Sequence, residues 1–126
     1  MKSQGPLDAR LWIVINRPKK SDVGGALSSG GSNYFKEHLR QSGLKVEDIR
    51  VEYLVPDIPP KNGFFFFIDN QPDRIQKHVQ LLRQRIQECK PNLVLCLGAE
   101  PLYYLMGTER YHEVERSCDI LFSTWL

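Results

Sequence analysis

A chain of 126 residues has room for one domain with a sizeable core, and 41% hydrophobic with 25% charged residues is ordinary globular composition. The 17 Lys and Arg against 15 Asp and Glu leave a formal charge of +2, too mild to demand a nucleic-acid partner and too mild to exclude one. No apolar run approaches the roughly 20 residues of a membrane span, the amino terminus lacks a signal-peptide core, and the three cysteines (Cys89, Cys96, Cys118) show no close pairing. The expectation is a cytoplasmic, reducing setting without a membrane.

Residues 1–9 read as a loose leader and residues 10–126 as one domain. Arg10 to Asn16 is rich in aromatic and β-branched residues and predicts a first strand. Pro18 to Gly31 follows as a loop loaded with Lys, Ser and Gly. Ser32 is positioned to cap a helix through about Ser42, with Phe35 and Leu39 one turn apart and Gly43 ending it. Ile49 to Val55 predicts a second strand, stopped by Pro56, Pro59 and Pro60. The run Phe64–Ile68 reads as an edge strand or a packed loop.

Pro72 suits the first turn of a long helix ending near Glu88. Its apolar positions Ile75, Val79, Leu82 and Ile86 recur at helical spacing, and Arg74, Lys77, Arg83 and Arg85 read as a solvated face. Leu93 to Leu97 is a continuous apolar run, as in a parallel strand covered on both faces. Gly98 permits a tight turn, Pro101 fits a first helical turn and Gly107 can close that helix. Ile120 to Thr124 predicts a last short strand. The alternation of strand and helix argues for an α/β fold, a three-layer α/β/α sandwich on a four-stranded, mainly parallel sheet. Ligands of such folds sit beyond the carboxyl ends of the strands. Those ends are Asn16 to Lys20, Val55 to Pro60, Gly98 to Glu100 and Ser123 to Leu126.

The order of these motifs resembles the uracil-DNA glycosylase superfamily over roughly residues 10 to 125. Three segments carry the likeness. Pro91 to Gly107 is similar to the family's Pro, apolar strand, Leu-Gly and helix; Ser32 to Leu44 is similar to the helix after its first site loop; Val51 to Pro60 is similar to its strand running into a Pro-Pro turn. The resemblance implies a site in which Asn16 stands where the family positions its water and Pro18 on the motif proline. Asp22 matches a nearby acidic position. It further implies DNA at the strand carboxyl ends, contacted by Arg17, Pro18, Lys19, Lys20, Ser32, Gly98, Ser123 and Thr124.

The chain departs from the family's pattern in several places. The stacking Phe falls on Ser29 or Leu27, neither of which can stack. The base-reading amide falls in Tyr53-Leu54-Val55-Pro56, which has none. The second catalytic motif's His falls beyond Ser123-Thr124-Trp125-Leu126. Some branches hold an iron–sulfur cluster on four cysteines, which three cannot supply, so no cofactor is expected. No metal is expected either, because His38, His78 and His112 lack ligand spacing with one another or with a cysteine.

Each motif carries a plainer alternative. Asn16 can close a turn through its own side chain. Arg17, Lys19 and Lys20 can be a solvated loop, and Phe64 to Phe67 can be packing, a partner contact or a platform for stacked bases. Cys96, in mid-strand, reads as a small core hydrophobe. The functional expectation is a glycosylase-like domain that binds DNA or serves a replication assembly without excising a base. Domains of this kind occur as amino-terminal parts of DNA polymerases in some large phages, so a polymerase or another replication or repair protein is the partner implied. The remainder of the site would then be supplied elsewhere. The alternatives are an active glycosylase, with Asn16 positioning water and Asp22 assisting, and a protein-interaction module built on Phe64–Phe67.

Overall fold

The structure, a computed structural model, describes residues 3–22, 24, 25, 27, 28, 33–61, 63–106 and 120–123. Three strands run parallel in the order β2-β1-β3: β1 is Leu11–Ile15, β2 Arg50–Tyr53 and β3 Leu93–Leu97. The register sets Ile13 against Val51 on one side and Leu95 on the other, and Ile15 against Tyr53 and Leu97. Strand β4, Ile120–Ser123, pairs with β3 in the antiparallel sense, Leu97 opposite Ile120 and Val94 opposite Ser123. That direction corrects the expected site. Ser123 lies beside the amino-terminal half of β3, so the carboxyl end of β4 points away from the cleft at Asn16.

Because strand side chains alternate, β1 supplies two cores at once. Trp12 and Val14 pack with Val94 and Cys96 against helix α3, Pro72–Cys89, and helix α4, Ala99–Met106. Ile13 and Leu95 pack with Val51 and Leu39 on the other face, where helix α1, Asn33–Gln41, and the 3₁₀ turn Val46–Asp48 lie. The sequence pattern of α3 holds in full, with Ile75, Val79, Leu82 and Ile86 all buried. Each such aliphatic contributes roughly 1.5–3 kcal/mol of hydrophobic free energy. Gly43 ends α1 as expected, in a left-handed conformation with φ of 81°.

The Phe run is neither an edge strand nor a packed loop. Residues Phe65–Asn70 form a short helix, α2. Phe64 and Phe67 are buried, while Phe65 is 63% exposed. Four aromatic residues in succession cannot all face one way on a helix, and this turn divides them between core and solvent.

The basic face of α3 is likewise not simply solvated. Arg74 pairs with Asp57 and lies over the Phe67 ring, 5.8 Å from its centroid. Arg83 donates to the carbonyls of Tyr104 and Leu105 at 2.8 and 2.7 Å, satisfying the end of α4. Arg85 reaches Glu52, whose side chain is fully buried, through Nε at 3.1 Å and Nη2 at 3.0 Å. Arg50 donates to the same carboxylate at 3.1 Å and to the Gly5 carbonyl at 2.7 Å, and the Ser3 hydroxyl also donates to Glu52. Lys77 and Arg83 are exposed as expected, although Arg83 is also tied to α4, while Arg74 and Arg85 are half-buried.

A buried carboxylate persists only when its desolvation is offset by such charge-assisted bonds. Removing it leaves two guanidinium groups facing each other without their acceptor. Glu52→Ala is expected to lower unfolding free energy by about 3 kcal/mol in a urea titration, whereas Lys77→Ala should leave the midpoint essentially unchanged.

Candidate functional site

The carboxyl ends of β1 and β3 open into a cavity of about 250 Å3, lined in part by Asn16, Arg17, Lys19, Asp22, Leu27 and Phe35. Its floor is built from Ile15 and Leu97, neighbours in the β1–β3 ladder. The β1–β2 pairing continues past the strands, with the Leu54 and Val55 amides donating to the carbonyls of Ile15 and Asn16 at 3.0 and 3.1 Å. This extension holds the Asn16 backbone at the mouth of the sheet. Asn16 and Asp22, joined only by analogy in the sequence, thus line one space.

Asp22 is 6% exposed and already has a structural task. Its Oδ2 accepts the Lys19 amide at 3.0 Å, while its own amide donates to the Lys19 carbonyl at 3.0 Å. The reciprocal pair closes the Lys19–Asp22 turn and fixes where the lysines emerge. Asp22 also acts on Tyr53, whose phenol is pushed up from 10.0 to about 12, chiefly by burial and then by the Asp22 charge.

A second cavity, of about 330 Å3, adjoins the first through Arg17 and Lys19. Among the described residues it is lined by Arg17, Lys19, Lys20 and Lys61, together with Ile58, Pro59, Pro60 and Gly63, none of them acidic. Lys19, Lys20 and Lys61 are exposed and Arg17 is half-buried. The Arg17 Nη1 donates to the Pro18 carbonyl at 3.3 Å, but its Nε is buried and has no hydrogen-bond acceptor among the described residues. Clustered cations around an unsatisfied guanidinium donor suit an anionic ligand with several acceptor oxygens.

Pro18, on the motif proline, is buried and belongs to the loop's packing rather than to its exposed surface. Gly98 adopts φ of 108°, which only glycine takes without strain, and a Cβ there would meet nothing closer than Glu100 Oε2 at 3.6 Å. Its need is therefore conformational, set by the turn from β3 into α4. Ser32, Thr124, Ser29, His112, Cys118 and Gly107 lie outside the described residues.

Sequence reasoning missed Lys61 and Phe35. Lys61 follows the Pro59-Pro60 turn, and that placement after β2 was its only sequence signal. Phe35, which its spacing with Leu39 places in helix packing, also walls the Asn16 cavity. Leu27, one of the two positions matched to the stacking Phe, lines the same cavity with a left-handed backbone, φ of 59°. For a non-glycine residue that conformation is uncommon, and here it turns the side chain into the core.

Cys96 is buried and its thiol is pushed up to about 12 by desolvation, in keeping with a core role. Among the described residues no group of His, Cys, Asp and Glu is arranged to hold a metal, and no helix is long and apolar enough to cross a membrane. In comparisons with known proteins, no family model and no curated protein matched the chain.

The Tyr53–Asp22 coupling has a direct consequence. A phenol with a raised folded pKa contributes stability that is full below about pH 10 and is lost as pH rises toward 12. Asp22→Asn should move the Tyr53 titration, followed by ultraviolet absorbance, downward while leaving it above 10.0, because burial is the larger cause.

Proposed function

We propose that this chain is a DNA-binding domain of uracil-DNA-glycosylase-like architecture, a four-stranded, mainly parallel α/β/α sandwich, that engages DNA without excising a base. The observation that carries this reading is the cavity lined by Arg17, Lys19, Lys20 and Lys61, next to the carboxyl end of β1. Four cations with no acid among the lining residues repel one another, a cost that a phosphate backbone relieves. The same resemblance supports a place in DNA replication or repair beside a polymerase or another protein of that machinery.

Several features argue against excision by this chain alone. Asn16 carries an amide, a poorer base than a carboxylate. Asp22 is engaged by the Lys19 amide, and the Ser123 end of β4 points away from Asn16. One observation favours the enzymatic alternative: Asn16, Asp22 and Phe35 line a common cavity, bringing a water-orienting amide, an acid and an aromatic ring together.

Binding of single-stranded DNA measured across a salt series tests the proposal. Four phosphate contacts imply a log–log slope of about −3. Lys19→Glu with Lys20→Glu should weaken binding at least about tenfold and reduce the slope by about 1.5. Salt-insensitive binding, or none, would overturn the reading. Excision of uracil that disappears in Asn16→Ala would establish the enzymatic alternative instead.

A further inference from the structure

A third cavity, of about 490 Å3, is lined by Phe65, Ile68, Ala99, Glu100, Tyr103 and Tyr104, between α2 and the start of α4. Nothing in the DNA-phosphate reading uses it. Its walls are aromatic and fixed. Tyr104 meets Tyr103 edge-on at 5.0 Å and Phe64 at 6.3 Å, and Arg83 holds the carbonyls of Tyr104 and Leu105. Phe65, in contrast, is 63% exposed at the rim although Phe64 and Phe67 beside it are buried.

The chain itself connects this cavity to the basic one. Gly63 lines the basic cavity and Phe65 the aromatic cavity. Two residues span at most about 7 Å. Leu97 lines the Asn16 cavity and Ala99, also two residues on, the aromatic one. The aromatic cavity therefore flanks the same sheet end as the cations.

Its charge is opposite in kind. Among the described residues Glu100 is the one charged residue of its lining, and a carboxylate repels phosphate. Aromatic faces beside a carboxylate suit a nucleobase, which offers a π-face to the rings and N–H donors to the acid. We infer that the cavity between Phe65, Tyr103 and Glu100 is a nucleobase-stacking site for single-stranded DNA whose phosphates lie in the Arg17–Lys61 cleft. This rests on the DNA-binding proposal and adds to it a second contact surface and a single-stranded ligand.

The test compares a ten-nucleotide thymidine strand with an abasic strand of equal length and charge, by fluorescence anisotropy on the full chain. The base-bearing strand should bind about tenfold more tightly. Phe65→Ala and Tyr103→Ala should each erode that advantage while leaving the abasic affinity unchanged, and Tyr103→Phe should preserve it. Unchanged abasic binding also shows that each variant is folded. Equal affinities for the two strands, or an advantage that survives both alanine variants, would overturn the stacking site yet leave the phosphate reading intact. That outcome would return Phe65 to a protein-contact role. Failure of both strands to bind would overturn both proposals.

Discussion

Strand β1 is hydrogen-bonded along both edges and buried on both faces, and the rest of the domain is arranged by that constraint. Five residues, Leu11–Ile15, must satisfy two ladders while supplying side chains to two cores. Parallel neighbours on either side require long crossovers, and the helices in those crossovers are what cover the faces. A strand confined in this way leaves little freedom at its end. Asn16 and Arg17 emerge at the mouth of the sheet because Ile15 is still paired to Tyr53 and Leu97.

The ionic cluster around Glu52 is the second organising element. Glu52 sits on β2 among residues directed to the α3 face, where a carboxylate without partners would be untenable. Arg50 comes from the same strand, Arg85 from α3 and Ser3 from the amino-terminal segment. The cluster thus ties three separate parts of the chain to one buried charge. Arg50 also lies over the Trp12 ring, 5.7 Å from its centroid, which connects the cluster to the central strand. Nearby, burial together with Arg74, Arg85 and Lys77 holds His78 below its ordinary value. Two of these cations are paired, Arg74 with Asp57 and Arg85 with Glu52.

A net charge of +2 conceals this unevenness. Basic residues of α3 are largely committed to holding the fold, whereas those at the sheet end line an open cavity without acids. Repulsion among Arg17, Lys19, Lys20 and Lys61 opposes folding. The aromatic cavity differs in both charge and surface chemistry, so the carboxyl ends of the sheet present two kinds of cavity side by side.

Elements whose signal is local are legible in the amino-acid sequence alone. Strand β3 follows from an unbroken apolar run, α3 from four apolar positions at helical spacing, and the end of α1 from Gly43, because these patterns lie within a few neighbouring residues. The sequence also places Asn16, Arg17, Lys19 and Lys20 together at a strand end. Matters that depend on distant partners are settled by the three-dimensional packing. The fate of the α3 arginines required Glu52, Asp57 and the α4 carbonyls, each far away in sequence. The direction of β4 is fixed only in its pairing with β3, since a short apolar strand carries no mark of its own polarity. The Phe run became a helix because α2 packs on α3, overriding the strand preference of aromatic residues. Lys61 joined the basic cavity for the same reason: clustering of charge is a property of distances through space, and a sequence records only distances along the chain.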